Sequence, residues 1–328
     1  MGSIKLGNLS VDKMFVGDKR VDKAYYGSVL VFSGTYTCDI ANLGSSDPAN
    51  VTFSKSVGFP TESKCWEEVV IGNDHFAKFT PWYKKAVFNG SELVGFIISN
   101  KKEDNDFHVY DCFLDENGNL LPYILLGRYN VSSTTTANSV DAARATMTPG
   151  TGRSLCRAKG TGYQQMDAAM FNFWRDLALA VSQKVNFNNG EGVASYLGLA
   201  RMTEGGWWID GLTHVDSTYL YCSKPSKYVD SPTASTEGYS ALSYAMPTSS
   251  NWITKLGYDA NHPTINYPSA VGGSQTTYYC DYMWYASGNR PCIVGVGRAY
   301  ASVGLFYLSG DYDWSNAVGV RLCYKPIS

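Results

Sequence analysis

The stretch "GLFYLSGDYDWSNAVGVRL" (residues 304–322) places a polar, aromatic loop between two apolar, strand-like fragments. Its central residues are Tyr, Ser, Gly, Asp, Trp and Asn, which are typical of antibody paratopes. Rigid rings supply contact area at low entropic cost there, and small polar groups supply adaptable hydrogen bonds. Because a core strand does not carry so many small and acidic residues, "SGDYDWSN" (309–316) is predicted to be a surface loop held by a β scaffold.

The wider C-terminal region, residues 276–324, is rich in aromatic residues. It contains eight of the 24 tyrosines of the chain and two tryptophans. Apolar fragments alternate there with loops and are predicted to be strands: "CIVGVG" (292–297), "VGLFYL" (303–308) and "VGVRLCY" (318–324). One interpretation is a binding surface, because Tyr and Trp anchors dominate binding energy in protein interfaces. The other is a β core filled with rings, and both stay open for Phe306 and the tyrosines beside Cys280.

The composition of the 328-residue chain limits the classes of function. With 44% apolar and 17% charged residues the chain can bury a sizeable core, and its net charge of −2 gives no electrostatic signature of nucleic-acid or membrane binding. The longest apolar run is shorter than a membrane span, and the first residues lack the apolar segment of a secretory signal. Eight scattered cysteines without a CxxC pair indicate reduced thiols, with a Cys280–Cys292 bridge left open.

The first 33 residues repeat with a ten-residue period. Each unit places a glycine (Gly7, Gly17 or Gly27) at a turn position, between short alternating segments that are predicted to be strands. The pattern predicts a small N-terminal β-repeat module, residues 1–33, in the form of a meander. It is either an embellishment of the main domain, residues 34–328, or an assembly module.

The main domain carries signals for both strands and helices. Asn89-Gly90 predicts a hairpin and Asn117-Gly118 a turn, the latter preferred over a calcium loop because the repeated acidic spacing is missing. Helices are predicted at 139–147, which stops before Pro149, and at 163–183. The second helix would bury one apolar stripe, namely Met166, Met170, Phe173, Leu177 and Val181. The predicted class is α+β, with few helices and many short strands.

Motifs for catalysis are missing from the sequence. The four histidines fit no metal-ligand spacing, and the chain has no GxSxG elbow or P-loop. The lone Gly-x-Gly of "GVGRA" (295–299) is followed by too little chain for a nucleotide-binding βαβ unit. The sequence therefore predicts a protein that is not an enzyme, with no cofactor and no metal.

The order of these segments resembles a known family. The C-terminal arrangement, together with "KFTPWYKKAVFNG" (78–90), "AKGTGYQQMDAAMFNFWRDLALAVS" (158–182) and "GGWWIDGL" (205–212), resembles the C-type-lectin-like variable proteins of diversity-generating retroelements. These include phage tropism-determining proteins and share a scaffold with the formylglycine-generating enzymes. The likeness runs from about residue 45 to the end.

The resemblance implies a C-type-lectin-like domain that displays hypervariable loop residues, diversified by adenine-directed mutagenesis at the 3′ end of the gene. Eight positions match the family's fixed scaffold: Trp207, Trp208, Gly211, Gly304, Leu305, Gly319, Arg321 and Leu322. The residues expected to contact ligand are Tyr282, Trp284, Tyr285, Arg298, Tyr300, Ser302, Tyr307, Ser309, Asp311, Tyr312, Asp313 and Trp314.

The implied function is that of a phage receptor-binding protein at the tail tip of the virion, assembled in the cytoplasm of the bacterial host. Its partner would be a bacterial surface receptor, either protein or polysaccharide. The N-terminal module would join it to other virion proteins, and a homotrimer is the implied assembly. Two alternatives stay open: a structural virion component, and an oxidase like the formylglycine-generating enzymes that would use Cys280 or Cys292.

Overall fold

The computed structural model shows a β-rich protein. It describes six short strands within residues 5–33 and the ranges 35–131, 146–186, 195–200, 206–295 and 304–326. Strands account for 39% and helices for 14% of the structure, with two α-helices in the described part of the chain. The predicted α+β class is therefore wrong. Short apolar runs separated by Gly, Ser, Pro and Asn cannot sustain helices, so they pair as strands instead.

The elements are numbered in chain order. The strands are β1 (Lys5–Leu6), β2 (Leu9–Ser10), β3 (Met14–Val16), β4 (Lys19–Val21), β5 (Lys23–Tyr26), β6 (Val29–Ser33), β7 (Thr37–Ala41), β8 (Thr52–Lys55), β9 (Glu67–Ile71), β10 (Asp74–Phe79), β11 (Tyr83–Asn89), β12 (Glu92–Ser99), β13 (His108–Val109), β14 (Ile124–Gly127), β15 (Tyr163–Gln165), β16 (Ser195–Tyr196), β17 (Leu199–Ala200), β18 (Trp207–Val215), β19 (Thr218–Tyr221), β20 (Ser240–Ala245), β21 (Asn251–Gly257), β22 (Pro268–Val271), β23 (Tyr282–Tyr285), β24 (Asn289–Val294), β25 (Leu308–Gly310) and β26 (Leu322–Tyr324). The helices are α1 (Pro149–Ala158) and α2 (Ala168–Ser182), and short 3-10 turns cover Pro48–Asn50, Glu62–Lys64, Asp111–Phe113 and Pro225–Lys227.

The N-terminal repeats form three hairpins. Strand β1 pairs with β2, β3 with β4 and β5 with β6, each pair antiparallel. Within the described residues each hairpin is a separate two-stranded sheet. The predicted short strands agree with this pairing, and the predicted turn glycines, Gly7, Gly17 and Gly27, lie outside the described residues.

Two sheets form the main domain. The larger has thirteen strands. Ten of them are hydrogen-bonded in the order β13-β11-β12-β21-β23-β25-β24-β18-β19-β20, and in addition β22 pairs with β21, β7 with β12, and β8 with β7. The smaller follows the order β15-β26-β14-β10-β9. Asn89 pairs with Glu92 across the predicted hairpin, and Gly118 adopts a φ of 84° in the predicted turn. Both local predictions are confirmed.

Helix α2 lies inside the main hydrophobic core. Its first thirteen residues, 168–180, are all buried, so the helix is enclosed on every side and not along one stripe. The predicted stripe is buried except for the partly exposed Val181. The predicted start at residue 163 is wrong, because residues 163–165 form strand β15 and pair with β26. The helix begins only after Asp167, whose carboxylate caps it by accepting the backbone N–H of Met170 at 2.8 Å.

A buried polar network accompanies α2. The Lys84 ammonium donates hydrogen bonds of 2.6 Å to Asp176 Oδ2 and 2.6 Å to Asn266 Oδ1. The Arg175 guanidinium donates to Asp176 and to the Asn266 carbonyl, and the Tyr110 hydroxyl donates to Asp176 at 3.1 Å. This network joins the helix to β11 and to the segment before β22.

The first helix lies later in the chain than predicted. Most of the helix predicted at 139–147 falls within residues 132–145, which lie outside the described part. The end that is described is not helical, because Met147 forms a β-bridge with Val318. Helix α1 begins at Pro149, with the Thr148 hydroxyl accepting the N–H of Thr151. Proline stops a preceding helix but suits the first turn of a new one. Neither described helix is long and apolar enough to cross a bilayer.

Candidate ligand-binding surface

Three aromatic side chains form a strip on the surface of the large sheet: Trp252 on β21, and Tyr282 and Trp284 on β23. The antiparallel register places Trp252 opposite Tyr282, with ring centroids 5.5 Å apart and planes at 87°. Tyr282 and Trp284 point to the same face because they lie two residues apart on one strand, and their centroids are 5.0 Å apart. Trp284 is 41% exposed. We call these three residues the aromatic strip.

Trp252 was not among the predicted ligand-binding residues. It lies 30 residues before Tyr282, outside the aromatic-rich C-terminal region on which the prediction was based. A signal existed in "NWITKLG" (251–257), where Trp252 and the buried Ile253 point to opposite faces of a strand. The strand pairing that brings Trp252 beside Tyr282 is not visible in the sequence.

Tyr285, the third predicted residue on β23, does not belong to this strip. It is partly buried against the core, and its ring lies 5.8 Å from that of His214. Its backbone N–H donates to the Ser250 hydroxyl at 2.9 Å. Tyr285 therefore supports the strip from the opposite face of the sheet.

Strand β25 extends the aromatic strip towards the polar loop. It runs parallel to β23, with Trp284 opposite Ser309. Tyr307 and Ser309 are only 3% and 0% exposed, so both predicted contact residues lie in the interior in this structure. The reason is that the sheet runs on through Leu308–Gly310, and the surface loop begins only at Asp311.

Residues 311–317, which we call the polar loop, are fastened to β24. Arg290 forms an ion pair with the exposed Asp313. The Trp314 indole N–H donates to both the backbone carbonyl and the side-chain oxygen of Asn289, each at 3.2 Å. Asn316 accepts the N–H of Asp313 at 2.6 Å, which closes the loop on itself. The loop therefore has a defined conformation while Asp311 and Asp313 stay exposed.

Tyr312 has a different role from its neighbours. Its ring packs edge-on against Trp208, with centroids 6.2 Å apart and planes at 88°. Trp208 is fully buried and donates its indole N–H to the Met147 carbonyl at 2.8 Å. Tyr312 is partly exposed, and it attaches the polar loop to a second, smaller hydrophobic core that contains Trp208, Ile293 and Val320.

A buried histidine holds the base of the polar loop. The two ring nitrogens of His214 each lie 2.8 Å from a carbonyl oxygen, that of Gly310 and that of Asp216. Burial lowers the pKa of His214, which favours the neutral ring that donates to one of these carbonyls. A Cβ at Gly310 would approach His214 Nε2 to 2.5 Å, so any larger residue there would displace the His214 ring or the end of Met246.

The remaining predicted contact residues, Arg298, Tyr300 and Ser302, lie outside the described residues. Of the twelve predicted positions, two lie on the aromatic strip (Tyr282 and Trp284) and four lie in the polar loop (Asp311, Tyr312, Asp313 and Trp314), and all six are at least partly exposed.

The positions matched to a fixed scaffold are buried wherever they are described. Arg321 is representative: its guanidinium donates to the carbonyls of Gly127 and Ala200 at 2.7 Å each, and to Asn130 Oδ1 at 3.3 Å. The same group lies 5.1 Å from the Trp207 ring. Arg321, directly before β26, thereby joins this segment to β14 and β17.

The cysteines carry no bridge in this structure. All eight are buried free thiols, Cys280 and Cys292 included. Burial raises the pKa of Cys280 to about 11 and raises that of Cys292 further. A thiol must ionise to act as a nucleophile, so both side chains are poorly suited to that chemistry at neutral pH. Within the described ranges, no three His, Cys, Asp or Glu side chains are grouped as a metal site would require.

A groove of about 700 Å³ lies elsewhere on the molecule, between the turn at 114–117, the segment 160–164 and the chain near Lys325. Its walls are tied together, because the Glu116 carboxylate accepts the N–H and hydroxyl of Ser226 at 2.7 and 2.6 Å. None of the predicted ligand-binding residues lines it. The aromatic strip with the polar loop is therefore the candidate surface.

A scan against protein-family models found no match, and a search of curated proteins found no matching sequence.

Proposed function

We propose that the protein binds a bacterial surface receptor through the aromatic strip and the polar loop, as a receptor-binding protein of the phage tropism-determining type. The observation that carries this proposal is the exposed Trp284, on an ordered strand between Tyr282 and a polar loop fastened by its own side chains. Trp and Tyr anchors of this kind supply most of the binding energy in protein interfaces. Because strip and loop are held before binding, little conformational entropy is lost when a partner docks.

The resemblance to the retroelement variable proteins supports placing this function at the tail tip of a virion. In that setting the three N-terminal hairpins would join the protein to other virion components, and a homotrimer would multiply the avidity of weak individual contacts. The receptor could be protein or polysaccharide, since both present groups that Trp and Tyr rings can cover. Diversification of the gene at its 3′ end is part of the same proposal.

The proposal predicts that replacing Trp284 with Ala lowers binding to receptive cells by at least about tenfold, which is the scale of a hot-spot residue. Labelled protein would be titrated onto a panel of bacterial strains and counted by flow cytometry. Because Trp284 is exposed, the melting temperature should change by no more than about 2 °C. Phe88→Ala is the matched control, since Phe88 is a 52% exposed ring on a different hairpin, and it should leave binding unchanged.

Equal binding by wild-type protein and Trp284→Ala would contradict the proposal. Binding to no strain, together with self-association that Trp284→Ala abolishes, would favour a structural virion component whose strip contacts a neighbouring subunit. Size measurement of both proteins by light scattering distinguishes the two cases.

A further inference from the structure

The aromatic strip and the polar loop meet at Trp284 and Asp311. Paired residues of neighbouring strands point to the same face, so the Trp284 and Ser309 side chains lie side by side. The Ser309 hydroxyl donates to Asp311 Oδ1, which holds this carboxylate next to the same position. An exposed indole and an exposed carboxylate are therefore neighbours on the surface.

Among the described residues of this surface, Asp311 is a carboxylate with one oxygen left without a partner. Its Oδ2 has no hydrogen-bond or ion-pair partner in the part of the chain that the structure describes, whereas the nearby Asp313 is neutralised by Arg290. The described lysine on the neighbouring strand β21, Lys255, is bound to Glu92 at 2.7 Å. The two described cations discussed here, Arg290 and Lys255, are thus paired with other carboxylates.

We propose that the partner presents an arginine side chain to this surface, with its guanidinium stacked on the Trp284 indole and hydrogen-bonded to Asp311. The negative face of an indole and a carboxylate both attract cations. Arginine fits better than lysine, because its planar fork can stack on a ring and donate to a carboxylate at the same time. This inference rests on the proposed function and assigns the receptor to proteins.

The test uses two small probes of the same shape and different charge, N-acetyl-arginine amide and the neutral N-acetyl-citrulline amide. Each is titrated into the full-length protein labelled with ¹⁵N, and the indole N–H signals are followed by NMR. Trp284→Phe identifies the Trp284 signal by its loss. The arginine probe should shift that signal saturably at millimolar concentration, and the citrulline probe should bind at least about fivefold more weakly.

Asp311→Asn should remove most of the difference between the two probes, because it keeps the shape of the side chain and removes its charge. Asp106→Asn is the control, since Asp106 is an exposed carboxylate on another loop, paired with Lys85, and it should leave the difference intact. Equal shifts with both probes, no shift with either, or an unchanged preference in Asp311→Asn would each overturn the arginine inference. The binding function is judged separately, by whether Trp284→Ala lowers cell binding.

Discussion

Replacing Lys84 with Met should lower the free energy of unfolding by about 3–5 kcal/mol. Lys84 is fully buried, and its ammonium bonds Asp176 and Asn266 at 2.6 Å each. Methionine fills a similar volume but leaves both oxygens without this donor. A buried carboxylate that loses its cation costs far more than a surface ion pair contributes, because water cannot replace the missing partner. Urea denaturation followed by tryptophan fluorescence measures the change.

The next residue on the same strand supplies the control. Lys85 also forms ion pairs, with Asp104 and Asp106, but on the surface. Lys85→Met should cost less than about 1 kcal/mol, because exposed pairs contribute little. Similar losses for the two variants, or a loss below about 1 kcal/mol for Lys84→Met, would contradict the role assigned to the buried network.

The difference in stability between the wild type and Lys84→Met is also expected to depend on pH. Burial lowers the pKa of Lys84 from 10.5 to about 8. Between these two values the unfolded chain binds more protons at this site than the folded chain, so the contribution of Lys84 to stability rises with pH. The stability gap between the wild type and Lys84→Met should widen from pH 8 to 10, by at most about 1.4 kcal/mol per pH unit. A gap that narrows over this range would contradict the assignment.

Replacing Arg321 with Leu should lower the free energy of unfolding by about 4 kcal/mol. In the wild type the guanidinium donates to the carbonyls of Gly127 and Ala200 at 2.7 Å each, and the substitution removes both hydrogen bonds. A buried carbonyl that loses its donor costs about 1–3 kcal/mol. The loss of the guanidinium from the Trp207 ring adds to this cost. Arg321→Lys should recover only part of the stability, because one ammonium cannot reproduce the geometry of the planar fork.

Arg290→Leu is the control for Arg321→Leu. Arg290 also forms an ion pair, with the exposed Asp313. Arg290→Leu should lower the free energy of unfolding by less than about 1 kcal/mol, because exposed ion pairs contribute little. Thermal unfolding followed by circular dichroism compares the two variants. If Arg290→Leu proved the more destabilising, the polar loop and not the buried scaffold would control stability.

Much of the local structure could be predicted from the sequence. Turn chemistry at Asn89-Gly90 acts within a few residues, so this hairpin was predicted correctly. The apolar positions of α2 were also predicted as core. The β-rich class was not predicted, because the large sheet is assembled by pairings between strands far apart in the chain, such as β12 with β21 and β18 with β24, which leave only weak local signals.

The candidate surface shows the same division between local and distant information. The types and spacing of residues in "SGDYDWSN" predicted a surface loop, and the exposed Asp311 and Asp313 lie in it. The sequence could not show that Ser309 ends a buried strand, because one residue of register decides which face a side chain occupies. Nor could it show that Trp252 joins Tyr282, since that contact depends on the pairing of β21 with β23.

The complete enclosure of α2 has a consequence for how the protein is made. Arg175 on this helix bonds the Asn266 carbonyl, 91 residues further along the chain. At ribosomal rates of about 5–20 residues per second, roughly 5–20 s pass between the synthesis of the helix and that of its partner. During that interval the nascent chain contains a helix rich in apolar residues, and Arg175 on it still lacks its Asn266 acceptor. We therefore expect chaperones to hold this segment until its distant strands emerge.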